Sequence, residues 1–139
     1  MDLGQLPYLH ILVAAFAAFA LGAIWYSFLF GKIWMKELGF TEESIRSSGA
    51  NMGVIFGSTL VLTIIMAFGI AVLIQLHQVP NITWMVGLRI GLLTGLFFVA
   101  TSMAINYLYQ RRSIKLWLVD AGYQVCFMGL IGAILGAWH

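Results

Sequence analysis

Long apolar runs, broken by short polar ones, set the pattern of this chain. Residues 9–30, 54–76, 83–107 and 114–138 form four such runs. Each is long enough to cross a hydrocarbon core about 30 Å thick at about 1.5 Å per helical residue. Inside them the charged residues are Arg89 and Asp120, with Lys115 at the rim of the last. The pattern predicts an all-α fold, an integral membrane four-helix antiparallel bundle that makes one domain of residues 1–139. Residues 31–53 are its only extended polar loop. There Thr41 is a candidate N-cap, with Glu42 and Glu43 in the first turn and Gly49 as a stop, so a surface helix is expected over 42–48. The Val79-Pro80-Asn81 turn joins spans two and three and predicts that they are antiparallel neighbours. Trp25, Trp34, Trp84, Trp117 and Trp138 fall mostly near span ends, as interfacial anchors do.

Charge orients this pattern. Lys32, Lys36 and Arg46 lie in the first loop, and Arg111, Arg112 and Lys115 at the third. The second loop has no Lys or Arg, and neither have the termini. The positive-inside rule therefore puts loops one and three in the cytoplasm and both the N-terminus and the C-terminus outside. Only Asp2 is charged ahead of the first run, which is longer than a signal-peptide h-region, so it reads as an uncleaved span. The chain is 62% apolar and 9% charged with a net charge of +2 and no basic tract. That excludes nucleic acid as a partner and leaves the lipid bilayer. The one cysteine, Cys126, rules out an internal disulfide and reads as a small packing residue.

Small residues recur every fourth position. Gly87, Gly91 and Gly95 do so in span three, Gly53 and Gly57 in span two, Ala14, Ala18 and Gly22 in span one, and Gly132 and Gly136 in span four. Such stripes let helix backbones approach closely in lipid, so these glycines are read as helix-packing positions. In span four the small face of Gly129, Gly132 and Gly136 lies roughly opposite the face of Asp120, Gln124 and Trp138. Both faces call for protein contact, which favours a homo-oligomer or a partner membrane subunit.

Specific runs then point to a family. Gly22-Ala23-Ile24-Trp25-Tyr26-Ser27, followed by Leu29-Phe30-Gly31-Lys32-Ile33-Trp34, resembles the signature of the domain of unknown function 1761 family, small bacterial four-span membrane proteins. Asn51-Met52-Gly53, Ala121-Gly122-Tyr123 and the run 132–138 fit the same family. The resemblance implies a multi-pass protein of the bacterial cytoplasmic membrane and brings no catalytic residues with it. It also implies a proline near Phe28 in many relatives, whose absence here predicts a straight end to span one. Small multidrug exporters need a carboxylate in the middle of span one, and this span has none. Membrane glutathione-type transferases carry Arg, Asn and Glu residues within their helices, and that constellation is missing here.

Asp120 is the sharpest candidate for chemistry. It sits about 9 Å from the centre of span four by helical rise, where a carboxylate is costly unless paired, hydrated or protonated. At matching depth lie Tyr26 and Ser27, Ser58 and Thr59, and Thr101 and Ser102, with Gln124 one turn along from Asp120. The expectation is a polar layer in which Tyr26 or Thr101 donates a hydrogen bond to Asp120. The plainer reading has Asp120 snorkelling, or pairing with Arg112 or Lys115 at the surface. Arg89 differs from Asp120 by roughly 15–17 Å in depth, which disfavours a direct pair; it either snorkels to phosphates or meets an anion at a subunit contact. His10, His77 and His139 share the predicted outer side, but their scatter at span ends argues for solvation over a metal or haem site. No metal ligand set, cofactor motif or nucleophile–base pair is found, so no enzyme activity and no cofactor are expected. The function read from the residues is binding or passage of a small solute, ion or lipid at a layer formed by Asp120, Gln124, Tyr26, Ser58, Thr101 and Ser102 with Arg89. The alternative is a non-catalytic accessory subunit of a larger membrane complex.

Overall fold

A computed structural model describes residues 2–139, and all regular structure among them is helical. Four helices are long and apolar enough to cross a membrane: Tyr8–Leu29, Met52–Leu76, Trp84–Tyr109 and Ile114–Ala137, here spans one to four. A helix suits this setting because it satisfies every backbone polar group within the segment. Local chemistry sets three of the four starts. Asn51 accepts from the Val54 N–H at 3.2 Å, Thr83 from Val86 at 3.5 Å and Ser113 from Leu116 at 3.1 Å, each side chain taking an otherwise orphaned donor. The surface helix runs Glu42–Ser47 behind a capping box of Thr41 and Ser44. A second short helix, Gly31–Leu38, occupies residues expected as loop. Its Lys32, Lys36 and Glu37 concealed the pattern of Ile33, Trp34 and Leu38.

Span one does not end straight. It closes in a π-helical turn, Trp25–Leu29, in which the Phe30 N–H donates to the Trp25 carbonyl at 2.8 Å. The chain then bends at Phe30, and a Cβ on buried Gly31 would collide with the Tyr26 carbonyl. The extra residue of a π turn and a glycine at the bend do what a proline would otherwise do. Span three carries a second π-helical segment, Gly95–Ala100.

Span four is the hub. Its glycine face meets that of span three at backbone distance: a Cβ on Gly87 would overlap the Gly132 carbonyl, one on Gly132 the Gly87 carbonyl, and one on Gly91 the Met128 carbonyl. A Cβ on Gly136 would lie 2.5 Å from the Thr83 carbonyl, and one on Gly95 2.9 Å from the Val125 Cα. Span one packs on spans two and four through Ala14, Ala15 and Ala18, in one core with Ala67, Ile70, Ile74, Phe127, Ile131 and Leu135. Gly22 lies under the Tyr123 ring, whose hydroxyl would stand 2.7 Å from an added Cβ.

Three further expectations fail within the chain. Spans two and three touch little despite their short connection, because the glycine stripe draws span three onto span four while span two sits on span one. Gly53 and Gly57 lie in a stretch, 52–59, that is exposed throughout; a Cβ on Gly57 would meet nothing within 4 Å, and one on Gly53 only the Asn51 side chain. They pack against no other span of this chain. Cys126 is exposed on span four and is not packed within the chain.

Both termini and residues 77–83 share one end of the bundle, where the Gln75 amide donates to the Asp2 carbonyl at 3.3 Å. This is the terminal end; loops one and three form the loop end. Replacing Gly87 or Gly132 with Val is expected to cost about 1–3 kcal/mol by overpacking against backbone. Gly57→Val is expected to leave stability within about 0.5 kcal/mol. Reversible unfolding in bicelles measures all three.

Candidate functional site around Asp120

Helix direction brings the site together. Side chains tilt toward the N-terminus of their own helix, so those of spans one and three lean from the loop end toward mid-membrane, and those of span four lean back toward the loop end. Tyr26, Tyr107 and Asp120 converge in this way. The Tyr26 hydroxyl donates to Asp120 Oδ1 at 2.7 Å, and the Tyr107 hydroxyl donates to Asp120 Oδ2 at 2.5 Å. Each phenol takes one oxygen, so the two bonds together hold both oxygens of the Asp120 carboxyl group. Spans one, three and four are therefore tied at a single residue.

Aromatic rings form a shell on the Tyr26 side of these bonds. The Tyr26 ring meets Tyr123 edge-on at 5.4 Å and Trp34 of the short helix at 5.7 Å. Trp34 in turn meets Phe40 at 5.8 Å, closing the shell from the loop side. Three nearby aromatic side chains bond to backbone carbonyls. Trp25 Nε1 donates to the Val119 carbonyl at 3.0 Å, Tyr123 to Ala18 at 3.1 Å, and Trp117 Nε1 to Ala100, at the end of the π-helical segment, at 3.0 Å. Ser113 donates to Glu37 Oε2 at 2.6 Å and pins the short helix to the start of span four. Arg112 stands over the outer face of Tyr107, its guanidinium carbon 5.7 Å from the ring centroid. That arrangement is a cation–π contact with a residue that itself holds Asp120.

Of the residues expected to share this layer, the structure brings Tyr26 to Asp120. Gln124 is half-buried one turn further along span four. Thr101 is exposed and its hydroxyl donates back to the Phe97 carbonyl at 2.6 Å, a bond inside its own helix. Ser58, Ser102 and Arg89 are exposed, Ser58 on the outlying part of span two and Arg89 toward the terminal end. The layer is thus a cluster on three spans, with no part from span two. Tyr107 was missed because its depth, counted from the helix end, falls short of Asp120. The opposite tilt of antiparallel side chains, together with the length of a tyrosine, was the signal that identifies it.

The histidines stay apart from this cluster. His10 stacks on Trp138 at 4.5 Å between ring centroids. Among the described residues, no group of three His, Cys, Asp or Glu side chains is placed to hold a metal.

Removing one phenol hydroxyl is expected to weaken the clasp without dissolving the fold. In a double-mutant cycle of Tyr107→Phe with Asp120→Asn, the coupling energy is expected to be about 1 kcal/mol, within the range of hydrogen bonds measured inside membranes. Unfolding in bicelles reads it. A coupling near zero would show that Tyr107 does not hold the carboxylate.

A family model described as "Protein of unknown function (DUF1761)" matches residues 9–136, nearly the whole chain, and the protein belongs to that family. No curated protein and no solved structure matches it.

Proposed function

We propose that this DUF1761 family member is a non-catalytic, multi-pass protein of the bacterial cytoplasmic membrane that binds a small cation at Asp120. Its termini face outward in this reading, because Lys32, Lys36, Arg46, Arg111, Arg112 and Lys115 gather at the loop end. One observation carries the binding reading. Asp120 accepts one phenol hydroxyl on each oxygen, and these bonds orient the group without bringing a positive charge to it. Each carboxylate oxygen has a further lone pair, which suits an ammonium group or a monovalent metal ion. A charged residue kept within a span is costly, which favours a role in use over a purely structural one.

A second reading rests on a separate feature. Residues 52–59 of span two are exposed on every side, with large apolar groups at Val54, Ile55 and Phe56. Another helix laid there, from a partner subunit, would make this chain an accessory component of a membrane assembly. Native mass spectrometry separates the readings: a defined hetero-complex supports the second, and a homo-oligomer or monomer with a retained small molecule supports the first.

Cation binding is tested directly in nanodiscs by thermal unfolding under rising sodium, potassium or ethylammonium chloride at constant ionic strength. One of these salts is expected to raise the Tm in a saturable way, with about 2.7 kcal/mol of stabilisation at a hundredfold excess over Kd. Asp120→Asn is expected to fold and to lose that response. Equal responses in both proteins would overturn the assignment.

A further inference from the structure

Spans two and three stand apart over part of their length, and the gap between them is an open cleft of about 420 Å³. Leu73 and His77 form one wall, and Ile90, Leu93, Phe97 and Phe98 the other. Thr94 also faces it, but its hydroxyl is taken by the Ile90 carbonyl at 2.7 Å, so the walls below His77 are apolar in effect. From Ile90 to Phe98 the cleft runs about 12 Å down the helix axis. A slot of that shape inside a bilayer suits a hydrocarbon chain.

The cleft's mouth has a sign. His77 caps the end of span two and offers an exposed imidazole. Arg89 is exposed on span three one turn from Leu93, on the terminal side, about 7.5 Å below the Trp84 end by rise. Its side chain tilts toward that end, as every helical side chain tilts toward its own N-terminus. The sequence between Glu43 and Asp120 holds no Asp or Glu, so neither wall of the cleft nor the turn above it has a carboxylate for this guanidinium. A cation set in the membrane beside an apolar slot, without an acidic neighbour on either wall, calls for an anion that arrives attached to a hydrocarbon chain.

We infer that the cleft between spans two and three seats one acyl chain of an anionic phospholipid, with its phosphate held at the terminal end by Arg89 and His77. Arg89 supplies a forked donor set that matches phosphate oxygens. The site is separate from Asp120 and stands or falls independently of the cation reading.

The test uses the full chain in nanodiscs of equal phosphatidylcholine and phosphatidylglycerol, released gently into native mass spectrometry. Wild type is expected to retain phosphatidylglycerol over phosphatidylcholine, and Arg89→Gln to lower that preference roughly fivefold. Arg89→Lys, which keeps the charge, is expected to keep most of the preference. Leu93→Trp fills the slot and is expected to reduce retention of both lipids while the chain stays folded by circular dichroism. Equal retention of the two lipids by wild type would overturn the inference. So would an unchanged preference in Arg89→Gln, or a lipid-free dimer with the cleft buried between two copies.

Discussion

The backbone contact between spans three and four governs the rest of the molecule. In a bilayer no hydrophobic drive brings helices together, so association depends on how closely two backbones can approach. At Gly87, Gly91, Gly132 and Gly136 that approach is close enough to leave no room for a Cβ. Once span three is committed to span four along this seam, it cannot also lie along span two. The short connection 77–83 then joins two helices that share few neighbours, with Gln78 and Asn81 in the left-handed region to complete the turn.

Two consequences follow at opposite ends. Toward the loop end, the seam holds Tyr107 of span three beside Asp120 of span four, and span one completes the clasp with Tyr26. The π turn at Trp25–Leu29 and the bend at Gly31 let the chain fold back as the helix Gly31–Leu38, which brings Trp34 over the cluster. Toward the terminal end, the same seam leaves the cleft between spans two and three open. A polar site flanked by aromatic rings and an apolar slot beside Arg89 and His77 thus arise from one packing decision.

Span two behaves differently along its length. Its terminal half joins the alanine-lined core through Ala67, Ile70, Ala71 and Ile74. Its loop-end half stands exposed, meeting span one chiefly where Phe56 approaches Phe19 edge-on at 6.2 Å. A helix that carries no small-residue face toward a neighbour is free to diverge, since lipid solvates its apolar side chains as well as protein would.

The sequence by itself determined four membrane-length helices, the helix after Thr41, the glycine stripes of spans three and four, and the singular position of Asp120. These are local or periodic signals: a capping oxygen, a run of apolar residues, small residues every fourth position, a lone carboxylate in an apolar run. Tertiary structure alone decided which stripes found a partner, so that Gly87 and Gly132 pack while Gly53 and Gly57 do not. It also decided that Tyr107, and not Thr101 or Ser58, joins Tyr26 on Asp120, and that spans two and three part. The physical reason is that stripes and depths are properties of single helices. Which faces meet is settled by competition among all four, and by the opposite tilt of side chains on antiparallel neighbours.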